Sequence, residues 1–115
     1  MAREGHGPQR EKSNQGGWQS NDDLLTWAVP EVQPLIQAIH EAIGHMVRST
    51  CDVTGRQFDV RLHAWANICR EGAYHTRHNH ADSHWSGVYY VDAGQSDPAW
   101  PRAGMLEFSD PREHP

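Results

Sequence analysis

Residues 74–91 read YHTRHNHADSHWSGVYYV, and a histidine cluster runs directly into a strand-like stretch within them. Four of the chain's 9 histidines, His75, His78, His80 and His84, lie within ten positions here. Residues 86–91, SGVYYV, are β-branched and aromatic, which predicts a strand with Val88 and Tyr90 on one face. Residues 74–79 are predicted as an earlier strand, and residues 81–85 as the loop between them. On a strand, positions i and i+2 point to the same side, so His78 and His80 can reach one ion together. Chance clustering at a surface is the alternative. Borderline-soft imidazoles grouped this tightly more often mean metal.

Upstream, residues 58–68 alternate with period 2. Phe58, Val60, Leu62, Ala64, Ala66 and Ile68 fall on one face of a predicted strand; Asp59, Arg61, His63, Trp65 and Asn67 fall on the other. That polar face with a Trp suits the lining of a pocket, against the plainer reading of a solvated face. Gly72 breaks the strand, and residues 74–79 are expected to run back as its neighbour. Earlier still, Val32, Leu35, Ile36, Ile39, Ile43, Met46 and Val47 recur at spacings of three and four. They make the apolar stripe of a helix starting near Pro34. Ser20, Asn21 and Asp22 offer cap oxygens to a short helical turn carrying Leu24, Leu25 and Trp27. Residues 1–17 lack periodicity and are expected to be a flexible segment, with the domain occupying 18–115. Downstream, residues 95–102 hold two prolines and are expected as loop. Residues 105–108 are predicted as a last short strand, and DPR at 110–112 as a turn. Helices followed by short antiparallel strands fit a mainly β fold with N-terminal helices.

Composition narrows the function classes. A chain of 115 residues makes one small domain, and its hydrophobic fraction of 37% allows only a modest core. The net charge of −5 argues against nucleic acid as a partner, because tracking phosphates needs clustered Lys and Arg. No run of about 18 apolar residues predicts a membrane span. The N-terminal residues lack the apolar core of a secretory signal, so a cytoplasmic location is expected. Cys51 and Cys69 are too few and too far apart for a disulfide framework, and are expected as half-buried thiols in a reducing compartment.

Three registers compete for the ion. His78 and His80 are the ligands in the first, with a third from elsewhere. His80 and Asp82 form the His-x-Asp pair of a two-histidine, one-carboxylate set in the second, an arrangement that favours non-haem Fe(II). Gly72, His78 and His80 mimic the glycine and His-x-His of a cupin motif in the third. His84 and Trp85 then stand where a cupin places Glu. A helical zinc site is poorly matched, since HADSH lacks the Glu that would act as base.

The run AWANICREGAYHTRHNHADSHWSGVYYV, then GMLEFSDPR, with SNQGGWQSNDDLL upstream, resembles the 2OG-Fe(II) oxygenase family, relatives of the prolyl hydroxylases. The likeness covers roughly residues 13–112. It implies a double-stranded β-helix (jelly roll) that holds Fe(II) and the cosubstrate 2-oxoglutarate. Laid on the prolyl-hydroxylase pattern, His78 takes the metal histidine and His80 the carboxylate position, with Tyr74 and the Tyr89-Tyr90 pair flanking. His80 is a departure from that pattern, so either the site is all-histidine or Asp82 reaches in. The resemblance also nominates Tyr90 and Asn67 as cosubstrate contacts, against the alternative of packing with a satisfied polar tip. Trp65, Trp85 and Trp100 are expected as core or rim.

The family pattern continues with a distal histidine and an Arg or Lys that clamps 2-oxoglutarate. His114 follows the DPR turn too closely to be that histidine, and Arg112 belongs to the turn. The chain is therefore expected to hold the N-terminal and central part of the domain, an incomplete jelly roll whose open edge invites homodimerisation. Two functions follow. One is an Fe(II)- and 2-oxoglutarate-dependent dioxygenase acting on a small molecule or peptide, whole or as an inactive fragment. The other is a non-catalytic metal-binding cupin-like β-module.

Overall fold

The computed structural model describes residues 13–95, 97–110 and 112. The chain divides into two compact units, Met1–His78 and Asn79–Pro115.

Among its described residues the first unit has four two-residue strands and one α-helix, with β1 at Asn14–Gln15, β2 at Trp18–Gln19, α1 at Val32–Thr50, β3 at Asn67–Ile68 and β4 at Tyr74–His75. β1 pairs antiparallel with β4, setting Asn14 opposite His75 and Gln15 opposite Tyr74. β2 pairs antiparallel with β3, setting Trp18 opposite Ile68 and Gln19 opposite Asn67. The stretch from 13 to 20 thus runs back along 66–76. Further along, Asp23 bridges Ala64, and the Leu24 amide donates to the Ala64 carbonyl at 3.3 Å.

The helix follows its sequence signal closely. Every residue of the apolar stripe from Val32 to Val47 is buried or half-buried, and Val32 and Val47 are the buried apolar residues among those described. The helix begins at Val32, two residues before Pro34. Pro34 is tolerated there because first-turn amides have no intrahelical acceptor. At the other end Cys51 leaves helical geometry while its amide donates to the Val47 carbonyl at 2.9 Å, and Arg48 sits in the last turn, where the helix dipole favours a cation.

The turn ahead of α1 is a 3-10 segment, Leu24–Thr26, packed against the helix, with Trp27 just past its end. Asp23 occupies its cap position without a side-chain capping bond, so Ser20, Asn21 and Asp22 do not cap it as expected. Ser20 instead faces inward, 3% exposed, where its hydroxyl accepts from the Ala66 amide at 2.9 Å and donates to the Asn21 carbonyl at 2.7 Å. A buried hydroxyl needs partners, and both of these are backbone groups.

The NQGG stretch makes a tight bend between β1 and β2. Gly16 has φ 75°, a conformation that L side chains rarely adopt. A side chain at Gly17 would meet the Asn14 amide oxygen and approach the Ile68 carbonyl to 2.9 Å. Asn14 spans this bend. Its amide oxygen accepts from the Gly17 amide at 3.0 Å, and its Nδ2 donates at 3.2 Å to both the Trp18 carbonyl and Asn67 Oδ1.

Several strand expectations are corrected. Of residues 58–68, β3 and the bridge at Ala64 carry sheet pairing, while Phe58 and Val60 lie exposed. β4 covers two of the residues 74–79, and its partner is β1 rather than the preceding strand. Structure therefore starts inside the stretch expected to be flexible, from residue 13; residues 1–12 lie outside the described residues. In the second unit, residues 86–91 and 105–108 form no ladder. Val91 and Phe108 are 87% and 89% exposed. β propensity measures fit to a pleated, half-buried surface, so it makes a strand only where another strand supplies hydrogen bonds.

At the described residues the loop and turn expectations hold. Asp97 closes a turn, its carbonyl accepting from the Trp100 amide at 2.9 Å and its carboxylate from the Ala99 amide at 2.8 Å. The fold class is thus a helix with small antiparallel ladders, the coarse outline of a partial β-rich fold.

Candidate functional site

The histidine-rich stretch leaves β4 and continues without regular structure. His78 is the last residue of the first unit. Its ring Nδ1 lies 2.8 Å from the Thr76 carbonyl. A carbonyl can only accept, so in this contact Nδ1 is the donor. Histidines that bind metals commonly have this arrangement, one nitrogen anchored to a carbonyl and the other presented as ligand.

His80 is the second residue of the second unit. It is half-buried, and its carbonyl accepts from the Ser83 amide at 3.0 Å, which turns the chain through Ala81 and Asp82. Asp82 is exposed in that turn, and the His84 and Trp85 rings sit beside each other with centroids 6.2 Å apart. Among the described residues, no group of three or more His, Cys, Asp or Glu side chains is placed to hold a metal ion. Residues 78–82 therefore supply suitable donor chemistry, two imidazoles and a carboxylate, but the described residues do not close a three-ligand set. The predicted strand that would aim His78 and His80 together ends at His75.

The two nominated cosubstrate contacts fall in different units. Asn67 is in β3, where its side-chain oxygen accepts from Asn14, a bond that serves the bend between β1 and β2. Tyr90 is in the second unit with 48% of its surface exposed, next to Tyr89 at 70%. Of the three tryptophans expected as core or rim, Trp65 is half-buried, Trp85 is 42% exposed and Trp100 is 71% exposed. Both cysteines are exposed, which corrects the expectation of half-buried thiols.

Sequence periodicity did not single out Asn14, although an Asn placed before two glycines is a turn signal in its own right. Nor did it pair Cys69 with His75, which meet across the turn at Gly72.

Asp110 and Arg112 in the second unit form a local ion pair. Asp110 accepts from the Arg112 amide at 2.9 Å, from Nε at 2.9 Å and from Nη2 at 2.6 Å, so Arg112 belongs to the turn, as expected. His114 lies outside the described residues. The Arg112 guanidinium, then its backbone amide, hold the Asp110 carboxyl below the ordinary aspartate range. A depressed value in the folded state means the contribution is present above the unfolded value and is lost as pH falls through the folded one. A carboxyl-carbon NMR titration should therefore place the Asp110 midpoint below that of a free aspartate. Arg112→Gln should move it back up; an unchanged midpoint would contradict the pairing.

No helix among the described residues is long and apolar enough to cross a membrane. No curated protein and no solved structure matches the chain. Residues 63–114, just under half of the chain, match the model of a family described as Putative 2OG-Fe(II) oxygenase. The match starts ahead of β3 and takes in every histidine of the cluster, the Tyr89-Tyr90 pair and the Asp110 turn. Through these residues, this chain is similar to the 2OG-Fe(II) oxygenase family.

Proposed function

We propose that this chain carries the iron-binding segment of an Fe(II)- and 2-oxoglutarate-dependent dioxygenase domain, with His78 and His80 as two of the metal ligands. The observation that carries the reading is the family match over residues 63–114, which coincides with the histidine cluster. The Thr76 carbonyl at His78 Nδ1 supports it, because metal-binding histidines commonly have one ring nitrogen anchored to a carbonyl. Tyr90 is the proposed hydroxyl donor to the cosubstrate. Asn67 is a second proposed contact, with a prior engagement to Asn14 that cosubstrate binding would share or replace. Iron with 2-oxoglutarate supplies oxidation of a C–H bond in such domains. The protein's part is to hold the metal, present the cosubstrate and leave room for substrate. The reaction is expected in the cytoplasm.

Anaerobic Fe(II) titration followed by a succinate-release assay tests the reading. One Fe(II) per chain, with 2-oxoglutarate-dependent succinate formation under air, is the expected result. Metal binding without any turnover would instead favour a metal-binding β-module, and the lack of a three-ligand group among the described residues is the observation on that side. Absence of Fe(II) binding would overturn both.

A further inference from the structure

Apart from the histidines of residues 78–84, the first unit brings a thiol, an imidazole and a hydroxyl into one line. β3 ends at Ile68, and the chain reverses through residues 70–73, where the Ala73 amide donates to the Arg70 carbonyl at 2.9 Å. Gly72 takes φ 80° in that turn, which places Cys69 across from His75. Cys69 Sγ lies 3.5 Å from His75 Nε2, and His75 Nδ1 lies 3.3 Å from Ser13 Oγ. Ser13 is itself tied to this strand, its carbonyl accepting from the Thr76 amide at 2.8 Å. If Nδ1–H donates to the serine oxygen, Nε2 faces the thiol as an acceptor. Thiols react as thiolates, so a base within hydrogen-bond reach speeds attack by sulfur.

Cys51 provides an internal comparison. It is also exposed, but its sulfur lies 3.6 Å from the Thr50 hydroxyl, and that hydroxyl donates to the Met46 carbonyl at 2.7 Å. A hydroxyl is a poor proton acceptor at neutral pH. The two thiols thus share exposure and differ in the neighbouring base.

We propose that Cys69 is a modification site, oxidised by hydroperoxides with His75 taking up the thiol proton. Sγ attacks one peroxide oxygen, and the S–O bond forms as the O–O bond breaks. The thiol proton passes to His75 Nε2 and then to the departing hydroxide, which leaves as water. Sulfur is oxidised to sulfenic acid and the peroxide is reduced. The proposal stands on the first unit alone and is independent of iron binding.

The test uses the full 115-residue chain and hydrogen peroxide below stoichiometry. Sulfenic acid is trapped with dimedone, and each cysteine peptide is quantified by mass spectrometry. Initial labelling at Cys69 should exceed that at Cys51 by about tenfold. His75→Gln should bring the two within about twofold, as should urea, which abolishes the folded contact. Ser13→Ala keeps the backbone bond to Thr76 while freeing the ring, so it should lower the ratio partway even if His75→Gln compromises folding. Equal labelling in the native chain would overturn the proposal, as would a Cys69 preference that survives both substitutions.

Discussion

His78→Ala should reduce Fe(II) binding to below what an anaerobic titration detects, whereas Asp82→Ala should leave it close to that of the unsubstituted chain. Losing one of the few protein ligands of a mononuclear site removes a full coordination bond and leaves a weakly held ion. His78 is the strongest single candidate because the Thr76 carbonyl anchors its ring at Nδ1. Comparing His80→Ala with Asp82→Ala decides the register. Loss with His80→Ala alone supports the His-x-His pair. Strong loss with Asp82→Ala would transfer the second ligand to the carboxylate, and loss with His84→Ala would favour the cupin-like arrangement. Preserved binding in His78→Ala would remove the basis of the site as proposed. Circular dichroism of each variant separates loss of ligand from loss of fold.

Asn14→Ala should destabilise the first unit by about 2–3 kcal/mol, read as a lower urea midpoint with little change in slope. Asn14 is 9% exposed and holds three groups at once, the Gly17 amide, the Trp18 carbonyl and the Asn67 side chain. Alanine leaves the backbone groups of the bend without those partners, and an unpaired part-buried polar group costs about 1–3 kcal/mol. Asn14→Asp should rescue poorly. Its carboxylate can still accept from Gly17, but it places an acceptor where Trp18 and Asn67 also offer acceptors. Gln37→Ala is the matched control, since it removes a 2.9 Å exposed bond to Glu41 one helical turn away. That change should cost less than about 0.5 kcal/mol. A midpoint for Asn14→Ala equal to that of the control would show that the bend does not hold the unit together.

Legibility followed the range of the interactions involved. The stripe of α1 could be read residue by residue because helical hydrogen bonds join positions four apart, so period and partner lie in the same few residues. The turns at Asp97 and Asp110 were legible for the same reason, each carboxylate reaching an amide two residues ahead. Residues 58–68 and 86–91 carried a strand pattern just as plainly, yet most of their length lies outside any ladder. A period of 2 says which side chains share a face but leaves the partner strand unspecified. For β4 that partner is β1, roughly sixty residues earlier in the chain, in a polar stretch with no alternation to mark it.

The candidate site divides along the same line. From the sequence alone came the family resemblance, because the order HNH, SGVYYV and DPR is a local text that the match over residues 63–114 supports. The chemistry of the donors also came from the sequence, since imidazole and carboxylate are properties of residue type. Tertiary structure decided what each donor faces. It tied Asn67 to Asn14 and brought Cys69 to His75 across a turn. Those relations depend on hydrogen bonds and chain reversals that join distant or oppositely directed segments, and no local period encodes where such segments meet.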